Sequence, residues 1–160
     1  IGGHSVGGRW YRPFMVKGAQ PVLLRDGHFN PDNVQKVIAG MYGVVNEGGT
    51  GHGAALPNIK VCGKTGTAQL VATEKMKALH LKNNAWFVGF APEEHPEIVV
   101  VALFENGEEG SNAAWIVRDV LKAYFDKKSR QSKEISREAR MFRPIFLSPL
   151  PALVTTGGMQ

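Results

Sequence analysis

The sequence predicts an α+β fold, an antiparallel sheet covered by helices, and three observations carry that prediction. Two nearly unbroken apolar runs, Ala85-Trp86-Phe87-Val88-Gly89-Phe90-Ala91-Pro92 and Ile98-Val99-Val100-Val101-Ala102-Leu103-Phe104, have strand length and strand composition. The short, polar link Glu93-Glu94-His95-Pro96-Glu97 joins them tightly, so they pair antiparallel, and their apolarity on both faces makes them central strands. Before and after these runs apolar residues recur at helical spacing, which supplies the covering helices.

In chain order, Gly2-Gly3 and Gly7-Gly8 punctuate the start. The short runs around Pro13 and Gln20-Pro21-Val22-Leu23-Leu24, ended by the turn Asp26-Gly27, predict a small β-ribbon. Asn30-Pro31 then signals a helix start, a side-chain cap followed by proline where a missing N–H costs nothing, with Asp32 in the favourable first turn. Val34, Val37, Ile38, Met41 and Val45 form its core stripe until Gly48-Gly49 stops it. The loop Gly48-Gly49-Thr50-Gly51-His52-Gly53 is dense enough in glycine to cradle phosphate. No strand directly precedes it and no helix clearly follows, so it reads as a flexible connection, with His52 a weak candidate for lining a groove. Residues 59–71 read as a strand and 73–83 as a lysine-rich connection. After the two apolar strands, residues 107–110 form a turn and Ser111 caps a helix with the stripe Ala113, Ile116, Val117, Val120, Leu121 and Tyr124. Beyond Phe125 the periodicity fades into charge and proline. The expected organisation is therefore a domain over 1–126 and a basic, Pro-containing, disordered tail over 127–160.

Composition narrows the function classes. With 43% hydrophobic residues in 160 the chain can bury a core, and no stretch of eighteen apolar residues or signal peptide is visible. The net charge of +5 comes largely from the tail and no nucleic-acid motif accompanies it, so no nucleic-acid partner is expected. Cys62, the only cysteine, has no thiolate-stabilising neighbour in the sequence, and five histidines lie scattered without ligand spacing, so neither a catalytic thiol, a metal nor another cofactor is expected. Glu93, Glu94 and Glu97 read as solvated turn residues.

The run Val61-Cys62-Gly63-Lys64-Thr65-Gly66-Thr67-Ala68-Gln69 carries the chemistry. A cation, two hydroxyls and a glycine in four residues suit a strand edge that holds an anionic, peptide-like substrate. At average usage the four-residue form occurs by chance in roughly 0.2% of chains this long, which makes it informative. A P-loop ending at Gly63-Lys64-Thr65 is the rival reading, but that loop requires glycine where Asn58 stands and a helix where Gly66 interrupts.

Lys-Thr-Gly is one of three sequence marks of penicillin-binding proteins and serine β-lactamases. Together with the loop Gly48-Gly49-Thr50-Gly51 before it and Asn84-Ala85-Trp86-Phe87-Val88-Gly89-Phe90-Ala91-Pro92 after it, it resembles the C-terminal part of the transpeptidase domain of class B penicillin-binding proteins, of the cell-elongation type, over about residues 10–125. The resemblance implies a penicillin-binding, serine β-lactamase-like fold and a peptidoglycan D,D-transpeptidase that cross-links wall peptides by serine acyl transfer. It implies that Lys64 supplies a positive field and helps move protons to the leaving group, and that the Thr65 and Thr67 hydroxyls bind the substrate carboxylate. Gly66 would leave room along the strand edge, and the Thr67 N–H would be an oxyanion donor. The implied partners are the D-Ala-D-Ala stem peptide, β-lactams and, through the full-length protein, a membrane glycosyltransferase and elongation-complex proteins on the extracytoplasmic side of the membrane. The family's Ser-x-x-Lys and Ser-x-Asn marks fall on no residue here, since none of Ser5, Ser111, Ser129, Ser132, Ser136 and Ser148 has lysine three positions on. Ile1-Gly2-Gly3-His4 reads as mid-chain sequence. The expectation is a C-terminal fragment, inactive alone, whose membrane anchor and nucleophile lie upstream. A serine β-lactamase or β-lactam sensor, and a degenerate non-catalytic binding module, are the alternatives.

Overall fold

The computed structural model describes residues 8–69 and 81–141. The expected end of the motif strand at residues 70–71, most of the lysine-rich connection and the proline-containing end of the tail lie outside them.

The ribbon forms as its turn residues suggest: β1 (Arg9–Tyr11) pairs antiparallel with β2 (Leu23–Asp26). Helix α1 (Pro31–Asn46) starts on its expected cap, the Asn30 side-chain oxygen accepting from the N–H groups of Asp32 at 2.9 Å and Asn33 at 3.3 Å. It buries Val34, Ile38, Met41 and Val45, whereas Val37, at the margin of the predicted stripe, stays exposed.

Among the described residues three strands form the main sheet in the order β3 (Cys62–Ala68), β4 (Asn84–Ala91), β5 (Ile98–Phe104), antiparallel throughout. Alternation sends Cys62 and Phe90 to one face, where they pack with Val34, Ile38 and Met41 of α1. Ala85, Phe87 and Ala102 join a second cluster with Ala113, Ala114, Val117 and Leu121 of α2 (Gly110–Met141). Each helix therefore fixes the sheet through an apolar stripe, and burying Phe87 or Leu121 completely contributes on the order of 2–3 kcal/mol each.

Three expectations are corrected here. Only β4 is central; β5 is an outer strand among the described residues, with Val99, Val101 and Leu103 exposed. The buried stripe of α2 runs through Ala113, Ala114, Val117 and Leu121 rather than through Ile116 and Val120, which are exposed, because small residues let the helix approach the sheet closely. Finally, residues 127–141 of the expected disordered tail are helical. That stretch is mostly polar, with Ile135 its one large apolar residue up to 140, and residues 127–140 are exposed, but Lys, Arg, Glu, Gln and Ala are strong helix formers. A helix already nucleated on the sheet gains a hydrogen bond for each added residue without a new nucleus. Two compact units divide the chain after Asp126. No helix among the described residues is long and apolar enough to cross a membrane.

Candidate functional site

Among the described residues strand β3 is an outer strand, so one of its edges faces away from β4. Which residues present their amides there follows from two carbonyls. The Val61 oxygen accepts from Asn46 Nδ2 at 2.8 Å, and the Thr65 oxygen accepts from Lys64 Nζ at 2.8 Å, so both bond to groups outside β4. Backbone polar groups alternate sides along a strand, and this parity turns the N–H and C=O of Thr65 and Thr67 away from β4. Asn46, whose side-chain amide also donates to Tyr42 O at 3.0 Å, thereby ties the end of α1 to the entry of the motif strand.

Glycines set the depth of the site. A Cβ on Gly63 would stand 2.4 Å from the Phe87 ring, so the residue before Lys64 has no room for a side chain above the buried Phe87. A Cβ on Gly66 would meet the Cβ of its cross-strand partner Trp86 at 3.3 Å. Gly110, the first residue of α2, rests on the same backbone, and a Cβ on it would lie 2.6 Å from Gly66 O, 2.7 Å from Gly66 N and 2.9 Å from Thr65 Cβ. Only glycine allows the start of α2 to approach the motif this closely.

The hydroxyls are held by tertiary contacts. Thr67 Oγ1 accepts from the Gly110 N–H at 3.3 Å, so a residue 43 positions earlier caps α2. Ser111, the expected cap, turns instead to the Glu109 carboxylate at 3.5 Å. Thr65 Oγ1 lies 2.9 Å from Thr50 Oγ1, which comes from the glycine-dense loop. Lys64 is exposed, and with the N-terminus of α2 beside Gly66 and Thr67 it brings positive potential to the strand. Lys82 pairs with the nearby Glu108 at 2.7 Å. Lys64, Thr65, Gly66 and Thr67 thus lie on one strand edge with two hydroxyls, a cation and outward amides, an arrangement able to hold a carboxylate and a peptide backbone.

The glycine-dense loop departs from its expected flexibility. Gly51 N–H donates to Val44 O at 3.0 Å and His52 N–H to Gly49 O at 3.1 Å, folding the loop back on the end of α1. Gly49 would carry a Cβ only 2.6 Å from Val44 Cα, and Gly51 one 2.7 Å from the Phe87 ring. His52 Nδ1 stands 3.4 Å from Val45 O, which occupies it against α1. Sequence reasoning missed Thr50, Gly110 and Asn46. Their long-range contacts span 15 to 45 residues, and the only local signal is glycine at positions that carry no turn requirement of their own.

Cys62 lies one residue before Gly63 yet takes no part. Its side chain is fully buried, its Sγ reaches toward Ile38 O at 3.9 Å, and burial first, then the charge of Glu93, pushes its thiol up to about 12. The native chain should therefore resist iodoacetamide at pH 8 and react on unfolding. Because the folded thiol holds its proton where the unfolded one loses it, this group leaves stability unchanged below about pH 8.5 and lowers it above. Equal alkylation rates for native and denatured protein would contradict the burial. Among the described residues no group of three or more His, Cys, Asp or Glu side chains could hold a metal.

Comparison with known proteins places this geometry. The family described as the penicillin binding protein transpeptidase domain matches residues 5–122. Peptidoglycan D,D-transpeptidase MrdA of Haemophilus influenzae is 35% identical over 162 residues, covering 82% of this chain and 25% of the relative. Among solved structures, the D,D-transpeptidase domain of a peptidoglycan glycosyltransferase from Eggerthella lenta is 36% identical with a TM-score of 0.57, over 69% of this chain and 24% of that one. A Helicobacter pylori penicillin-binding protein PBP2, solved in complex with MreC, is 30% identical with a TM-score of 0.59, over 76% of this chain and 23% of that one. The chain spans about a quarter of the length of these relatives.

Proposed function

We propose, for a chain that belongs to the penicillin-binding protein transpeptidase domain family, that β3 is the substrate-holding edge of a serine D,D-transpeptidase site that cross-links peptidoglycan. One observation carries this reading: Lys64, the Thr65 and Thr67 hydroxyls and the outward Thr67 amide share one strand edge that no other described strand pairs with. A stem peptide ending in D-Ala-D-Ala adds to that edge as a further strand, its terminal carboxylate on the two hydroxyls under the field of Lys64. The scissile carbonyl then lies at the Thr67 N–H, which stabilises the oxyanion as the acyl bond to serine forms and the terminal D-alanine leaves. Lys64 assists proton transfer to the departing amine. A β-lactam carries the same carboxylate and a strained amide, so it acylates in place of the peptide.

The serine belongs to a Ser-x-x-Lys segment that residues 1–160 do not contain; the parent enzyme is the polypeptide in which this chain is continuous with that segment. The MrdA relatives and the neighbour solved with MreC support a place in cell elongation, with a membrane glycosyltransferase and elongation-complex proteins as partners, on the extracytoplasmic side of the membrane. Pulse labelling of the parent enzyme with fluorescent penicillin tests the reading. The expected result is a stoichiometric adduct that persists for many minutes, because a transpeptidase deacylates penicillin slowly. Rapid multiple turnover of penicillin would make the parent a β-lactamase.

A further inference from the structure

Resting on that transpeptidase reading, we propose that Thr50 is a positioning residue for the substrate carboxylate: its hydroxyl donates to Thr65 and leaves the Thr65 proton free for the ligand. The two oxygens stand 2.9 Å apart, a hydrogen bond in which either atom can donate. A carboxylate accepts only, so its arrival requires Thr65 to donate outward and therefore requires Thr50 to donate to Thr65. The chain of donors, Thr50 to Thr65 to carboxylate, polarises each bond in the same direction. Without Thr50 the Thr65 hydroxyl rotates freely and can turn its proton to other acceptors.

The loop is built to place that hydroxyl before substrate arrives. Gly48 takes a left-handed φ of 77°, Gly49 and Gly51 sit where a Cβ would strike Val44 or Phe87, and the Gly51 N–H ties the loop to Val44 O of α1 while the His52 N–H closes it on Gly49 O. The glycine-dense segment is in this reading a scaffold. Its product is one threonine hydroxyl at a fixed distance from the motif strand. The register of that hydroxyl is tied through Phe87 to the same core that sets Gly63.

The test compares second-order acylation rates of the parent enzyme with benzylpenicillin and with its methyl ester, which lacks the anionic carboxylate. Thr50→Val is expected to slow benzylpenicillin about fivefold to tenfold, the loss of one neutral hydrogen bond, while leaving the slower ester reaction within about twofold. Thr50→Ser, which restores the hydroxyl, should recover the benzylpenicillin rate to within about twofold. Thr50→Ala repeats the deletion should the valine variant melt early. A loss shared equally by both substrates would make Thr50 a structural residue and overturn the proposal. Thr65→Val separates the two levels of argument: if it slows benzylpenicillin and Thr50→Val does not, the positioning role fails and the carboxylate site stands. If neither matters, the assignment of the carboxylate to Thr65 falls as well.

Discussion

In the parent enzyme Thr67→Pro will acylate penicillin about 10²–10³-fold more slowly than Thr67→Val, the usual cost of one oxyanion donor. Both substitutions delete the hydroxyl, so both lose the charge-assisted bond to the carboxylate, worth about 1.5–3 kcal/mol. Both also leave the Gly110 N–H uncapped, which lowers stability by about 1 kcal/mol and shows in the melting temperature rather than in the ratio of their rates. What separates them is the amide. Valine keeps the N–H and the β-branched shape. Proline removes the N–H from a residue whose backbone parity turns it away from β4, so no ladder bond is broken, and Gly66 before it has no Cβ to clash with the ring. Acylation rates of the two variants, with folding checked by thermal melting, decide the matter. A folded proline variant that acylates as fast as the valine variant removes the Thr67 amide from the oxyanion hole.

The 160-residue chain by itself will form no covalent adduct with fluorescent penicillin, whereas the parent enzyme labels stoichiometrically. The substrate edge contributes binding and charge stabilisation but no bond-forming atom, and acyl transfer needs a serine activated by an adjacent base. None of the six serines has lysine three residues on. Of the four in described segments, Ser111, Ser129, Ser132 and Ser136, Ser111 turns to the Glu109 carboxylate, and Ser132 and Ser136 donate to carbonyls one helical turn earlier, at 3.0 Å and 2.8 Å. Intact-mass spectrometry after incubation with penicillin reads the outcome directly. A stoichiometric acyl adduct on any of these serines would mean that the division of the site between this chain and a Ser-x-x-Lys segment is wrong.

The elements that local physics controls were legible from residue order. Asn30-Pro31 starts α1 because the cap and the proline act within four residues, and β5 spans Ile98–Phe104 as its apolar run indicates. The motif was legible for a different reason, since Lys64-Thr65-Gly66-Thr67 is a pattern four residues long, and all four fall on β3. Less legible was the tail, where the loss of an apolar stripe pointed to disorder, while helix propensity and continuity with an anchored helix carry α2 to Met141.

The sequence by itself determined the antiparallel α+β architecture, the family and the four residues of the motif, all of which depend on patterns a few residues long. Tertiary structure decided what those residues are bonded to: Thr50 against Thr65, Gly110 beneath Gly66 and capped by Thr67, and Asn46 at the entry of β3. It also decided that β5 is an outer strand among the described residues and that Ser111 is not the cap of α2. The physical reason is range. Hydrogen-bonding turns, caps and alternation are set by neighbours along the chain, whereas which hydroxyl or amide meets which partner across 15 to 43 residues is set by close packing, and close packing is specified only when the whole core is in place.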